Sequence, residues 1–147
     1  MSRRFSGKGL SMADDVVLAK AAIVERCVER VWSVHGGDDA ALIEDITKQD
    51  SIVLNIQRAC EASIDLAMHL VRTRRLGVPQ ETRDAFDLLV RAGLLDTDLA
   101  ARMKRMVGFR NIAVHDYRKL DLEIVRSIVL DGLGDFLDFT RAALALA

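Results

Sequence analysis

Apolar residues recur along most of this chain at steps of three and four, the period of a helix with one buried face. Val17, Ala21, Val24, Val28 and Val31 form the first stripe, widened by Ile23, Cys27 and Trp32. It predicts a helix from Ala13 to His35, with Trp32 in the core. Gly36-Gly37 ends it, because glycine adopts the left-handed backbone that closes a helix. A second stripe (Leu42, Ile46, Val53, Ile56, Cys60, Ile64, Ala67, Val71) predicts an unusually long helix over 39–74, capped by Asp38 or Asp39. That length outruns a compact bundle, so a bend is expected, or a projecting end that packs on another subunit. Arg72, Arg74 and Arg75 close the segment with charge that suits the negative end of the helix dipole; substrate contact is their other possible use.

After a connector holding Pro79, a shorter helix is expected from Glu81 to Ala92, with Phe86, Leu89 and Val90 inward and Gly93 at its end. Asp96 or Thr97 caps a fourth helix. A fifth runs from Asp121 to the C-terminus, burying Leu122, Val125, Val129, Gly132, Phe136, Phe139 and Ala143. The pattern predicts an all-α, up-and-down bundle of four or five helices in a single domain over 13–147. Residues 1–12 precede it as a basic segment expected to be mobile.

Composition fits this picture. At 147 residues and 50% hydrophobic, the chain can bury one real core, and nine glycines with one proline leave few breaks. A net charge of -1 announces neither nucleic acid nor membrane. Cys27 and Cys60 sit inside apolar helical patterns, as buried reduced thiols do, and no apolar run reaches the ~20 residues of a membrane span. A cytoplasmic location follows as the expectation. Asp65 and His69 share a helix face, but two ligands alone do not make a metal site, so neither metal nor cofactor is expected.

The fourth helix departs from the simple pattern. At 100° per residue, Leu99, Met103, Met106, Val107, Ala113 and Val114 make one apolar stripe, and Arg110 falls in its middle. Burying a lone guanidinium costs several kcal/mol, very roughly. Either Arg110 bends out along its stem, or this face opens onto a cleft or a second subunit. Asn111 and His115 stack on one flank of the same helix, with Asp116 and the chain's one tyrosine, Tyr117, just beyond. Charge is also uneven. From Arg102 to Lys119 six Lys/Arg (Arg102, Lys104, Arg105, Arg110, Arg118, Lys119) face one acid, whereas from Leu120 to Asp138 five acids face one arginine. A basic patch around an Arg/His pair suits a phosphate-bearing substrate. Pairing of the basic face with the acidic last helix is the alternative.

Arg110, four intervening residues and His115, with Asn111 after the arginine and Tyr117 two past the histidine, resemble the signature of HEPN-domain ribonucleases. The run RMVGFRNIAVHDY is similar to that of HepT-like toxins, as are IQRACEASIDLAMHLV and ETRDAFDLLVRAGLLDTDLAARM upstream. The resemblance implies a metal-independent endoribonuclease toxin, homodimeric, with the two motifs lining a cleft between subunits. Arg110 and His115 would be catalytic and Asn111 would assist them. Arg102, Lys104, Arg105 and Arg118 are candidate RNA contacts. Tyr117 would be the residue adenylylated by a partner MntA-type nucleotidyltransferase antitoxin. The alternative is a non-catalytic helical module that binds nucleotide or such a partner.

Overall fold

The computed structural model describes residues 12–146. The segment over 1–11, most of the stretch expected to be mobile, lies outside the described residues. The described residues form helices and turns only, in the order α1 (Met12–His35), α2 (Asp39–Glu44), α3 (Ile46–Thr73), α4 (Asp84–Arg91), α5 (Thr97–His115), a 3-10 turn (Tyr117–Lys119), α6 (Leu122–Ser127), a π turn (Ile128–Gly132) and α7 (Leu133–Leu146).

Four long helices make the bundle. α3 packs against α1, α5 and α7, and α1 and α5 both pack against α7. Contacts across the helices fix their directions. Lys20 early in α1 pairs with Asp65 late in α3 at 3.0 Å. The Cys60 thiol on α3 donates to the Met106 carbonyl on α5, 3.3 Å away. Arg102 early in α5 reaches Asp135 on α7 at 2.9 Å. With Tyr117 just past α5 meeting Asp50 near the start of α3, and Met106 approaching Gly132 while the earlier Arg102 reaches the later Asp135, successive long helices run antiparallel, the expected up-and-down arrangement. Phe86, Phe136, Phe139, Ile52, Ile56 and Leu66 fill the centre, and Phe86 meets Phe139 edge-on with ring centroids 5.4 Å apart.

The long second helix does bend, and Asp45 is the cause. Its backbone leaves the helical region, ending α2, while its carboxylate accepts from the Lys48 N–H at 3.2 Å and so starts α3. The Gln49 side-chain amide donates to the Leu42 and Ile43 carbonyls, which the break would otherwise strand. Asp38, not Asp39, caps α2. Asp39 instead accepts from buried His35; since Gly37 N–H donates to His35 Nδ1, the ring's other nitrogen carries the proton.

Four further expectations are corrected. The helix expected from Glu81 starts at Asp84, whose carboxylate folds back to accept from the Gln80 and Glu81 N–H groups. The last helix holds a π turn at Ile128–Gly132, where an added Cβ on Gly132 would come within 3.0 Å of the Met106 side chain. Glycine thus lets α5 approach the last helix closely. Trp32 is 44% exposed rather than in the core, because it lies on the rim of its stripe and neighbouring Val31 occupies the centre. Met12, expected in the leading segment, opens α1.

Candidate active site at the end of the fifth helix

The apolar stripe of α5 is buried at Leu99, Met103, Met106, Val107 and Ala113, as periodicity requires; Val114, which shares the stripe in sequence, is exposed. Arg110 sits on that stripe and is only partly exposed. Its Nε is fully buried and has no hydrogen-bond partner among the described residues. The guanidinium lies close enough to Cys60 on α3 to pull that thiol's pKa down, although burial dominates and pushes it up. The conflict read in the sequence is therefore real: a charge is held against the bundle without a carboxylate to meet it.

His115 is the last residue of α5 and is exposed. Asn111, one turn earlier, is partly buried. Asp116 leaves the helical conformation and terminates α5, so the chain turns away directly after His115. Within one chain no hydrogen bond or ion pair among the described residues joins Arg110, Asn111 and His115; what they share is the C-terminal half of one helix.

Tyr117 opens the 3-10 turn that follows. It is 46% exposed, and its hydroxyl donates to Asp50 Oδ1 near the start of α3 at 2.6 Å. Partial burial of the phenol, then the facing Asp50 carboxylate, push its pKa up to about 12. Sequence reasoning missed Asp50, and no local signal marks it, since it lies 67 residues from its partner.

The four candidate RNA contacts separate into two kinds. Arg102 is paired with Asp135 on α7, as the acidic last helix suggested, and Lys104 is paired with Asp87 on α4 at 2.8 Å. Arg105 and Arg118 are exposed with no acidic partner among the described residues. Arg102, Lys104 and Arg105 line a cleft of about 1070 Å³ between α4, α5 and α6 that is also lined by acids such as Asp84, Asp87, Asp131 and Asp135. The cleft is electrostatically mixed, and its lining includes none of Arg110, Asn111, His115 or Tyr117. This cleft therefore does not gather the Arg110, Asn111, His115 and Tyr117 side chains at the end of α5. Asp65 is engaged by Lys20, while His69 is buried one turn further along α3. Among the described residues no three His, Cys, Asp or Glu side chains converge as a metal site requires, and no helix is long and apolar enough to cross a membrane.

Comparison with known proteins bears directly on this arrangement. A family model described as Ribonuclease HepT-like matches residues 23–143. The chain is 46% identical over 126 residues to the mRNA nuclease HepT of Shewanella oneidensis, covering 86% of this chain and 94% of that protein. It is similar in structure to a toxin–antitoxin complex with AMP-PNP (TM-score 0.85, 44% identity, covering 89% of this chain and 98% of that one). It is equally similar to a tri-AMPylated HEPN toxin of Shewanella oneidensis in complex with an MNT antitoxin (TM-score 0.85, 45% identity, 89% and 98% covered). A family match over most of the chain and this degree of identity agree with the Arg110–Tyr117 signature and the bundle that carries it, and the chain belongs to the HepT-like ribonuclease family.

Proposed function

We propose that this protein is a toxin endoribonuclease that cleaves RNA in the cytoplasm without a metal. Arg110 and His115 act in a cleft formed between two copies of the chain. The observation that carries this reading is the buried, unpartnered Nε of Arg110 on the same helix end as the exposed His115. With no carboxylate among the described residues paired to it, the guanidinium keeps its terminal N–H donors, unlike the buried Nε, for an external anion, and those two nitrogens match two oxygens of a phosphodiester. Arg110 binds the scissile phosphate and offsets the charge that develops on its non-bridging oxygens. His115, whose intrinsic pKa is near neutrality, takes the proton of the RNA 2′-hydroxyl or supplies one to the departing 5′-oxygen. Attack of the 2′-oxygen on phosphorus breaks the bond to the 5′-oxygen and leaves a 2′,3′-cyclic phosphate. Asn111 assists by hydrogen bonding on the same flank as His115.

Arg105 and Arg118 supply further RNA phosphate contacts. Arg102 and Lys104 are weaker candidates, because RNA would compete with Asp135 and Asp87 for them. The exposed apolar residues Ile112 and Val114 flank the motif, which favours a homodimer that covers them and brings two motifs together. A nucleotidyltransferase antitoxin of the MntA type neutralises the toxin by adding AMP to Tyr117. The solved relatives in complex with such antitoxins, one of them AMPylated, support this reading. An AMP group beside His115 places bulk and negative charge where RNA phosphate docks. The test is to incubate purified protein with end-labelled RNA in EDTA. Cleavage leaving cyclic phosphate ends is expected; intact RNA at high protein concentration contradicts the reading.

A further inference from the structure

Asp50 is not part of the Arg/His signature, yet its carboxylate receives the one tyrosine hydroxyl in the chain at 2.6 Å. That distance is the short range of an O–H···O⁻ bond. The bond orients the phenol and holds the 3-10 turn against the start of α3, on a tyrosine that is itself part-exposed. Asp50 is itself exposed.

We propose that Asp50 is a catalytic base contributed by the toxin to its own adenylylation, holding the Tyr117 hydroxyl in place and taking its proton as AMP is transferred. This rests on the reading above that Tyr117 is the AMP acceptor and a nucleotidyltransferase with ATP the donor. The Tyr117 Oη–phosphorus bond forms, the bond from that α-phosphorus to the β-phosphate bridging oxygen breaks, pyrophosphate leaves with the electron pair, and the phenolic proton passes to Asp50 Oδ1 and then to water. A carboxylate is too weak a base to ionise a phenol whose pKa is held near 12 in the ground state. It becomes an adequate acceptor as the new bond forms, because Oη loses its affinity for the proton as it bonds to phosphorus. Once the diester has formed, Oη has no proton to donate and a phosphate charge stands beside a carboxylate. The tie between the 3-10 turn and α3 is then lost, and the modified turn, directly after His115, leaves α3.

The test measures the initial rate of AMP incorporation by intact mass, using full-length toxin, the cognate nucleotidyltransferase and ATP with magnesium. Asp50→Asn keeps a hydrogen-bond acceptor of the same shape but not the base, Asp50→Ala removes both, and Asp50→Glu restores the base. Thermal melting checks that each variant is folded. Asn and Ala variants are expected to lower kcat for the first transfer by about 10²-fold. The KM for ATP and the affinity for the nucleotidyltransferase stay unchanged, and the Glu variant recovers part of the rate. AMP transfer at the wild-type rate in folded Asp50→Asn overturns the role of Asp50 and leaves Tyr117 as acceptor. Absence of AMP from wild-type toxin, or undiminished modification of Tyr117→Phe, overturns the acceptor assignment and this inference with it.

Discussion

The two halves of α5 treat their charges in opposite ways. In the first half, from Thr97 to Val107, the apolar stripe is buried and two of the three cations are matched, Arg102 by Asp135 and Lys104 by Asp87. In the second half, Arg110 is held against the bundle with a buried nitrogen unpaired, Ile112 and Val114 face outward, and His115 is exposed. One half is resolved by the fold. The other is left open, and an uncompensated charge on a buried stripe persists where a ligand supplies what the fold withholds.

The largest expected effect belongs to the resolved part of the molecule. Phe86→Ala removes a fully buried ring that meets Phe139 and is expected to cost about 3–5 kcal/mol of stability, measured by urea unfolding. Cleavage per folded molecule should be little changed. His115→Ala should do the reverse. RNA cleavage falls by about 10²-fold or more while the melting temperature holds, since the side chain is exposed at a helix end. A variant that loses stability and activity together would erase the contrast between the halves.

A middle-sized effect is spectroscopic. Tyr117 is the chain's one tyrosine, so its ionisation can be followed by tyrosinate absorbance. Because the folded pKa is raised to about 12, the stability contributed by the Asp50 contact is fully present below the ordinary value of ~10. It is lost as pH rises through about 12. Asp50→Ala should move the midpoint down toward ~10; no movement would mean that partial burial alone sets it.

Smaller effects are expected where the fold has already balanced its charges. Arg102→Ala breaks a partly exposed ion pair and should cost no more than ~1 kcal/mol in thermal or urea unfolding, with at most a few-fold change in cleavage. Arg75 stands in the left-handed conformation that closes α3, with Leu76 N–H donating to the Val71 carbonyl, where glycine is favoured. Arg75→Gly should therefore gain roughly 0.5–1 kcal/mol in the same assay.

These regions differ, for a physical reason, in how much of them is legible in the sequence. Helix identity and the misfit of Arg110 are local properties of period and spacing, so both are legible from residue positions alone. Other features depend on which helices become neighbours. Lys104 meets Asp87 rather than the last helix, Asp45 both stops and starts a helix, and the Met106 side chain packs close over Gly132. The Asp50–Tyr117 bond is the extreme case, because nothing near either residue announces the other. Trp32 differs again: the stripe it flanks is buried, but a large side chain on the rim of that stripe projects into solvent.

The most direct test of Arg110 as a group kept for a ligand, not for the fold, is a paired measurement on Arg110→Met. Methionine retains length and apolar contact while removing the unpaired charge. The expected result is a melting temperature equal to or above wild type, together with a loss of RNA cleavage of about 10²-fold or more. A lowered melting temperature with cleavage retained would contradict it, and would make Arg110 a structural residue of the bundle.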